Sequence, residues 1–492
     1  MGNNHIKGKV LSSLIWKYLE NGGTQGIQFV VQIVLARLLL PADYGLIALV
    51  VIFTGIASVF VQSGFNGALI QKKDADEVDF SSVFYLSLFV AFLLYIIIFF
   101  AAPFIARFYD EPQLTSIFRI LSLTLFIGAF NSIQNAFVAR NMLFKKLFFS
   151  STGAIFVSGA VGIFMAYSGF GVWALVGQSI TNQLLVMIIL WFTVKWRPKL
   201  LFSFSRVKKL FSFGWKLLFA SLIKTLFIDL RSLVIGKINN PAMLGFYNRG
   251  QKFPSFIVGN INGSLQSVMF PVLSKHQHNK QRFNTMVRRS IVTSTFIIFP
   301  MMVGLAVIAE PLVEILLTDK WLPCVPFLQI FCADYALTPL NTSNKQAMNA
   351  LGRSDIFLKV EIIKNIIDLI LLGITVFWGV YAIALGRLIS SIIATFINAY
   401  PNQKLINYSY KEQWKDILPS LLLSLAMGVM IYSVKLLGMK VIATLIVQVC
   451  LGIIFYSGMA WLLKFECFIY LLSTFRDIFT HIKVNDKKPG NI

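Results

Sequence analysis

Five basic residues near the middle of the chain have types and positions that could bind an anion inside a membrane. They are Lys216, Lys224, Arg231, Arg249 and Lys252. All five lie in or beside apolar stretches, and a charge at the centre of a bilayer costs roughly 2.5 to 3.5 kcal/mol unless it faces water or a partner. Arginine binds a phosphate through two parallel hydrogen bonds, and lysine binds one as a point charge. These residues therefore predict a route for an anion.

The spacing of the five residues predicts two cationic helix faces. Lys216, Lys224 and Arg231 are separated by eight and seven residues, which puts them near one face of a helix. Arg249 and Lys252 are three residues apart on the next helix. Lys224 has the least room to reach a membrane surface, so it is the favoured cavity residue. Alternatively, Lys216 and Arg231 extend to opposite membrane surfaces, and Arg249 and Lys252 lie near an outer helix end.

Three carboxylates in apolar stretches are candidates for binding a proton or a sodium ion: Asp229, Asp334 and Glu361. Glu361 lies three residues before Lys364, which lies four before Asp368, so internal ion pairs are the favoured interpretation on that helix. Coupling to H+ or Na+ is the only cofactor-like requirement that the sequence suggests.

Motifs for catalysis or for metal binding are weak in this sequence. Asp74 and Asp76 imitate the DxD of glycosyltransferases, but their loop is too short for a nucleotide-sugar domain, and a solvated turn is favoured. His276 and His278 have no further ligand nearby. We therefore predict no catalytic residue, no metal site and a protein that is not an enzyme.

The composition places these residues in an all-α integral membrane protein. Hydrophobic residues make up 57% and charged residues 13% of the 492 residues, and the mean hydropathy is +0.74, unlike any water-soluble composition. Apolar stretches of about 20 residues recur at about fourteen positions, each too long for a barrel strand. The predicted divisions are a six-helix lobe (1–194), a cytoplasmic interfacial linker (195–210), a second six-helix lobe (211–400), and two last helices with a cytoplasmic tail (401–492).

The distribution of lysine and arginine predicts the orientation. Short loops rich in these residues stay in the cytoplasm, and most basic loops fall on one side when both termini are placed there. The net charge of +23 then reflects this asymmetry and an attraction to acidic lipids. Nucleic acid is disfavoured as a partner, because the cations are scattered through short loops.

An internal repeat organises the chain. LARLLLPADYGL around Arg37 aligns with IGKINNPAMLGF around Lys237, which pairs Pro41 with Pro241 and Gly45 with Gly245. GVWAL from Gly171 aligns with GVYAI from Gly379 at nearly the same offset. Six predicted spans separate the copies, so both enter the membrane in the same direction and form a parallel repeat.

Several segments resemble the polysaccharide exporters of the colanic-acid and teichuronic-acid flippase type. The resemblance lies in LARLLLPADYGLIAL from Leu35, ALIQKK ending at Lys73, FPVLSK from Phe270 and DKWLPCVPFLQIFC from Asp319. These exporters belong to the multidrug/oligosaccharidyl-lipid/polysaccharide exporter superfamily. The resemblance implies a V-shaped pair of lobes that moves polyprenyl-diphosphate-linked oligosaccharide across the bacterial cytoplasmic membrane by alternating access. It also implies a lipid-linked glycan and membrane lipids as partners, with a polysaccharide polymerase and other assembly proteins as candidates.

Three other functions compete with this interpretation. A peptidoglycan-precursor flippase would use the same chemistry, whereas a cation-coupled multidrug exporter would favour anionic groups in its cavity. A membrane glycan polymerase or ligase would need a long outer loop with catalytic groups, and the predicted outer loops are short. The basic residues favour a phosphorylated substrate.

Overall fold

The computed structural model describes residues 2–62, 65–72 and 74–473, without the side chains of 2–15, 18, 21, 65 and 213. These residues form helices joined by short turns, with no strand in the described ranges, so the all-α prediction is confirmed. The helices are α1 (Gly2–Leu38), α2 (Pro41–Gln62), α3 (Phe65–Gln71), α4 (Glu77–Phe108), α5 (Gln113–Leu121), α6 (Thr124–Asn141), α7 (Phe144–Tyr167), α8 (Val172–Thr193), α9 (Phe204–Ile238), α10 (Pro241–Lys275), α11 (Lys280–Val307), α12 (Ala309–Leu317), α13 (Val325–Ala336), α14 (Thr338–Ala350), α15 (Ser354–Thr375), α16 (Val380–Ile406), α17 (Tyr410–Ser433) and α18 (Val441–Leu462). Short 3-10 segments follow α12, α15 and α17, at Asp319–Cys324, Val376–Trp378 and Val434–Leu437.

Ten stretches in the described part of the chain are long and apolar enough to cross a membrane. They are α2 with α3, α4, α5 with α6, α7, α8, α10, α11, α16, α17 and α18. The other predicted spans coincide with α1, α9 and α15, which carry more charged residues, and with α13 and α14, which are separated at Leu337. The total of about fourteen spans therefore stays a prediction.

The surface of α4 shows how these helices match a bilayer. Phe100 and Phe104 are 68% and 72% exposed, whereas Ala102 and Ala106 on another face are buried. Large apolar side chains outside and small ones inside are the reverse of a water-soluble helix, whose apolar face is buried. Small buried residues let the helix approach its neighbours closely, which is how membrane helices pack.

The chain forms two compact units, Met1–Asn248 and Arg249–Ile492. The boundary falls inside α10, and α9, which we assign to the second lobe from its sequence, lies in the first unit. The predicted division into lobes at 194 and 211 stays a prediction. The predicted cytoplasmic tail, with Lys483, Lys487 and Lys488, lies outside the described residues.

The predicted linker 195–210 packs on the start of α4. The backbone N–H groups of Lys199 and Ser203 donate to the hydroxyls of Ser81 and Ser82, at 3.0 and 2.9 Å. Trp196 is 7% exposed, and its ring lies 5.8 Å from that of Phe80. α9 begins at Phe204, within the predicted linker. The segment before α9 is thus fixed by backbone hydrogen bonds and one buried aromatic residue.

Helix boundaries follow the predicted repeat. Pro41 and Pro241 begin α2 and α10, where the missing N–H and fixed φ of proline suit a first helical turn. Gly171 and Gly379 stand immediately before α8 and α16, with φ of +53° and +85°. Glycine adopts positive φ without steric cost. Residues that align in sequence therefore do the same structural task.

The first turns of α2 and α10 cross in a reciprocal contact within the first unit. A Cβ atom on Gly45 would lie 1.7 Å from the carbonyl oxygen of Pro241, and one on Gly245 would lie 2.1 Å from that of Pro41. Only glycine permits so close an approach of two backbones. In each copy of the repeated Pro-x-x-x-Gly turn, the glycine therefore packs against the proline carbonyl of the other copy. We call this contact the Pro–Gly crossing.

Candidate functional site

The basic residues of α9 divide into exposed lysines and a buried arginine. Lys216 and Lys224 are exposed, and neither makes an ion pair within the described part of the chain. Arg231 is 6% exposed. The intervals of eight and seven residues are retained in one continuous helix, which keeps the three side chains near one face. Lys216 and Lys224 therefore lie on the outside of this helix, whereas Arg231 packs inside the first unit.

Arg249 and Lys252, in the second unit, differ in the same way. Arg249 is 7% exposed, and its guanidinium carbon lies 5.2 Å from the centre of the Trp321 ring, which is fully buried. This is the geometry of a cation–π contact, which stabilises more when it is desolvated. Lys252, one turn later, is exposed. Arg249 thus has a packing partner of its own, whereas Lys252 lies at the surface of the second unit.

Asp334 has a partner that the sequence could not assign. Its Oδ2 accepts a hydrogen bond from Arg387 Nε at 3.0 Å, which joins α13 to α16. Gln251 of α10, with its oxygen toward Arg387, accepts from Nη1 and Nη2 at 3.0 and 3.2 Å and from the Tyr335 hydroxyl at 3.1 Å. Removal of either partner would leave an uncompensated charge, so the pair fixes the contact between α13 and α16. Asp334 therefore has a structural role whether or not it also binds a proton.

Glu361 lies between two lysines. Its Oε1 is 2.8 Å from Lys345 Nζ of α14 and 3.0 Å from Lys364 Nζ of α15, so the predicted internal pair with Lys364 is confirmed. One turn further, Asp368 accepts a hydrogen bond from Ser390 of α16 at 2.6 Å. The three-residue group Lys345, Glu361 and Lys364 carries a net charge of about +1 at neutral pH. It is a second cationic feature, distinct from α9.

Asp229 differs from the other two carboxylate candidates. It is half-buried, and no ion pair to it is recorded in the described ranges. It lies on α9 between Lys224 and Arg231. The carboxylates of Asp334 and Glu361 are held by cations, so Asp229 is the candidate whose protonation would break the fewest contacts. The assignment of all three to ion coupling stays a prediction.

Sequence reasoning missed Lys345 and could not pair Arg387. Lys345 precedes Glu361 by sixteen residues, across the turn between α14 and α15. Asp334 and Arg387 are 53 residues apart. Periodicity within one helix predicts i,i+3 and i,i+4 neighbours only, so it carries no signal for these contacts.

Polar side chains that could meet sugars instead join helices in the second unit. Asn398 donates to Asn341 at 2.6 Å and Asn402 donates to Asn344 at 2.7 Å, which links α16 to α14. Gln413 of α17 accepts from Asn344 at 2.8 Å. Asn341 and Asn344 therefore bridge helices, as side-chain amides do inside a bilayer.

Asp76 is the N-cap residue of α4 and is part of the turn that we predict from its sequence. Its side chain accepts from the backbone N–H of Asp79 at 3.0 Å, and Asp79 reciprocates, which forms a capping box. Arg206 Nη1 lies 2.5 Å from both carboxylate oxygens of Asp76. The hydrogen bond from Arg206 is the main cause that lowers the pKa of Asp76 to about 2. This acid is therefore engaged in a helix cap and an ion pair.

The chain is similar to curated proteins of surface-polysaccharide assembly. It is 26% identical over 403 residues to the teichuronic acid biosynthesis protein TuaB of Bacillus subtilis (strain 168), covering 78% of this chain and 80% of that protein. It is 23% identical over 438 residues to the lipopolysaccharide biosynthesis protein WzxC of Escherichia coli (strain K12), covering 87% and 89%. It is 25% identical over 333 residues to the succinoglycan biosynthesis transport protein ExoT of Rhizobium meliloti (strain 1021), covering 66% of each.

Solved structures share the fold at low sequence identity. The lipid II flippase MurJ in an inward closed conformation superposes with a TM-score of 0.71 at 15% identity, covering 92% of this chain and all of that one. An inward-facing MATE-family multidrug resistance transporter of the MOP superfamily gives a TM-score of 0.59 at 15% identity, covering 78% and 96%. Both are transporter folds, and likeness at this identity concerns the fold alone.

A family match settles the relationship at the level of sequence. The polysaccharide biosynthesis protein family matches residues 34–326, which is more than half of the chain and includes the Pro–Gly crossing, α9 and α10. The chain belongs to the polysaccharide biosynthesis protein family.

Proposed function

We propose that this protein is a flippase that moves polyprenyl-diphosphate-linked oligosaccharide from the inner to the outer leaflet of the bacterial cytoplasmic membrane. Family membership over residues 34–326 carries the proposal. The transporter folds that the chain resembles and the exposed Lys216 and Lys224 of α9 support it. Alternating access of two six-helix lobes, divided near residues 194 and 211, is the proposed motion.

The chemistry of such a substrate fits the residues. Its sugars cannot enter hydrocarbon, its diphosphate carries about two negative charges, and its tail can remain in the bilayer. The protein therefore has to shelter only the head. Lys216, Lys224 and Lys252 are the exposed cations proposed to bind the diphosphate. Arg231 and Arg249, being buried, are proposed to contribute positive potential and to position the helices rather than to make the first contact.

The coupling ion, the orientation and the partners are further parts of the proposal. Asp229 is the proposed site of protonation or sodium binding, with Asp334 and Glu361 as the alternatives. Both termini are proposed to be cytoplasmic, so that the basic loops face acidic inner-leaflet lipids. The protein is proposed to act as a transporter, not an enzyme, and to deliver its substrate to a polysaccharide polymerase and other assembly proteins.

Deletion of the gene tests the proposed substrate. We expect glycan-linked polyprenyl diphosphate to accumulate on the inner leaflet, with its sugars identified by mass spectrometry of extracted lipids. A matched strain that expresses the Lys224→Ala variant should accumulate the same species. Accumulation of peptidoglycan precursor alone would indicate the lipid II alternative, and unpolymerised glycan on the outer leaflet would indicate a polymerase.

A further inference from the structure

A cavity lies in the second unit, where α12 packs on α18. Its volume is about 590 Å³. Its lining includes Glu310 and Glu314 of α12, Tyr432 of α17, Lys435 of the 3-10 segment after α17, and Gln448 of α18. In the predicted topology this end of the unit faces outward, away from the basic loops. Neither the proposed diphosphate residues nor the coupling carboxylates line this cavity.

Of the two carboxylates that line the cavity, one forms an ion pair and the other does not within the described residues. Glu310 Oε2 is 2.6 Å from Lys435 Nζ, and about half of each side chain is exposed. Glu314, one helical turn after Glu310, makes no ion pair or side-chain hydrogen bond in the described part of the chain. The three groups together carry a net charge of about −1 at neutral pH. A cation or a hydrogen-bond donor would satisfy Glu314.

Gln448 supplies a second acceptor without a donor. The residue is 1% exposed, and its Nε2 donates to the carbonyl of Ile431 at 2.9 Å. Its Oε1 is buried and accepts no hydrogen bond from the described residues. A buried polar atom without a partner costs roughly 1 to 3 kcal/mol, so a donor that reached Oε1 from the cavity would remove that cost. Such a group must donate, because Oε1 can only accept.

The other residues that line the cavity indicate the chemical class of the ligand that would supply this donor. Tyr432 is 57% exposed, and its aromatic face attracts a cation. Val307 and Val441 give the cavity apolar walls. Lys435 keeps two N–H groups beyond the one that it donates to Glu310, and these suit a phosphate. The cavity thus offers acceptors for an ammonium, a donor for a phosphate and an apolar surface beside them.

We propose that this cavity binds the head group of a zwitterionic aminophospholipid from the adjacent leaflet, with its primary ammonium at Glu314 and Gln448 and its phosphate at Lys435. A neutral sugar would satisfy the acceptors but leave the charge of Glu314 uncompensated. An anionic lipid would engage Lys435 alone and meet two carboxylates. The proposed lipid is a structural ligand, separate from the transported one.

Native mass spectrometry of the full-length protein in detergent tests the site directly. The probes are equimolar phosphatidylethanolamine, phosphatidylcholine and phosphatidylglycerol. Wild type should retain one phosphatidylethanolamine in preference to phosphatidylcholine, whose quaternary ammonium has the same charge but no N–H donor. In Glu314→Gln, retention of phosphatidylethanolamine should fall about tenfold, since a charge-assisted hydrogen bond is lost.

Two further variants make the test specific. Asp319→Asn removes another exposed carboxylate at the same end of the unit, outside the cavity lining, and should leave retention unchanged. Gln448→Leu removes the buried acceptor and should also lower retention, with folding checked by size-exclusion chromatography. Equal retention of the three lipids, unaltered retention in Glu314→Gln, or displacement of the lipid by a neutral oligosaccharide would each overturn the proposal. The readout is binding, so it is independent of whether the protein proves to be a flippase.

Discussion

Individual charged residues of this chain do different tasks although they look alike in the sequence. Lys224 is exposed and Arg231, seven residues later, is buried. Arg249 rests on Trp321, whereas Lys252 on the next turn is exposed. Burial of a charge requires a specific partner, so the buried arginines belong to the packing of each unit, and the exposed lysines are the ones that we propose to bind the ligand.

Lys224→Ala should lose export without loss of folded protein. We expect at least about a tenfold decrease, because a charge-assisted contact to the diphosphate is worth roughly 1.5 to 3 kcal/mol. The measurement is surface polysaccharide per cell, normalised to the amount of folded protein by fluorescence-detected size-exclusion chromatography. Lys440→Ala, an exposed lysine in a predicted outer loop, is the control and should be neutral. Arg249→Ala, by contrast, should lower the amount of folded protein. Full export by Lys224→Ala would remove this residue from the site.

Glu361→Gln should destabilise the second unit by about 2 kcal/mol, because Lys345 and Lys364 would then repel each other without a shared carboxylate. The measurement is the thermal midpoint of the purified protein. The double variant Glu361→Gln with Lys345→Gln leaves one cation and should recover part of the loss. A midpoint that is unchanged in Glu361→Gln, with export abolished, would instead favour ion coupling by Glu361.

The roles of individual charged residues could be predicted from the sequence only in part. Lysines and carboxylates in apolar stretches identified the candidates, and the pair of Glu361 with Lys364 followed from spacing within a helix. The pairs of Asp334 with Arg387 and of Glu361 with Lys345 join different helices. Such contacts depend on which helices are neighbours and on how each is rotated, and neither is encoded in local periodicity.

At the scale of elements, the repeat alignment is a better guide to close backbone contact than the spacing of glycines. Gly22 with Gly26, and Gly259 with Gly263, have the four-residue spacing that permits close helix contact, yet a Cβ atom on any of them would meet nothing within 4 Å in the described structure. The close approach occurs at Gly45 and Gly245, which the repeat alignment paired. The spacing of glycines within one helix shows only that close contact is sterically possible. A glycine at the same position in both repeats indicates that the two copies have the same structural role.

Gly45→Ala should destabilise the Pro–Gly crossing by about 3 kcal/mol, because the added methyl group would displace the backbone of Pro241. Gly259→Ala is the matched control in an open helical position, where loss of glycine flexibility should be neutral or stabilising by up to about 1 kcal/mol. Thermal unfolding in detergent measures both. Equal midpoints for the two variants would show that the crossing adds nothing to stability.

The start of α4 should show a pH-dependent contribution from Asp76. Because Arg206 lowers the pKa of Asp76 to about 2, the pair stabilises the native state above the unfolded pKa of about 3.9 and loses this effect as the pH falls toward 2. Asp76→Asn keeps a capping acceptor, so its thermal midpoint should be slightly lower than that of wild type at pH 7 and should converge with it near pH 2.

Asp76→Ala also removes the helix cap, which costs about 1 kcal/mol more, at all pH values. A difference between Asp76→Asn and wild type that stays constant from pH 7 to the lowest pH measured would contradict the role of the ion pair. Thermal unfolding of the detergent-purified variants supplies both comparisons.

For the whole molecule, the charge of the proposed substrate favours export, provided that charges of the protein do not move in the opposite direction. Moving two negative charges from a negative interior to a positive exterior releases about 4.6 kcal/mol at 100 mV, from roughly 2.3 kcal/mol per charge. Transport should therefore need no ATP. In vesicles of the purified protein, a potassium diffusion potential of the native sign should accelerate outward movement, and added ATP should have no effect. ATP-dependent movement without an ion gradient would contradict this expectation.

The membrane class and the helical architecture were predictable because apolar length and composition leave few alternatives for a chain in a bilayer. Ten spans follow from length and composition alone. The spans that composition does not establish include α9 and α15, which hold the candidate charges. Membrane helices with functional sites contain charged residues. These charges lower the hydropathy by which membrane helices are recognised in a sequence.

The Pro–Gly crossing also bears on how a protein of this kind could arise. Because Gly45 meets Pro241 and Gly245 meets Pro41, the two turns present one surface to each other, as in an isologous interface. An ancestor of half the present length would already hold both sides of this interface and could pair with a copy of itself. Fusion of two such genes would preserve the contact at once and leave each half free to diverge elsewhere.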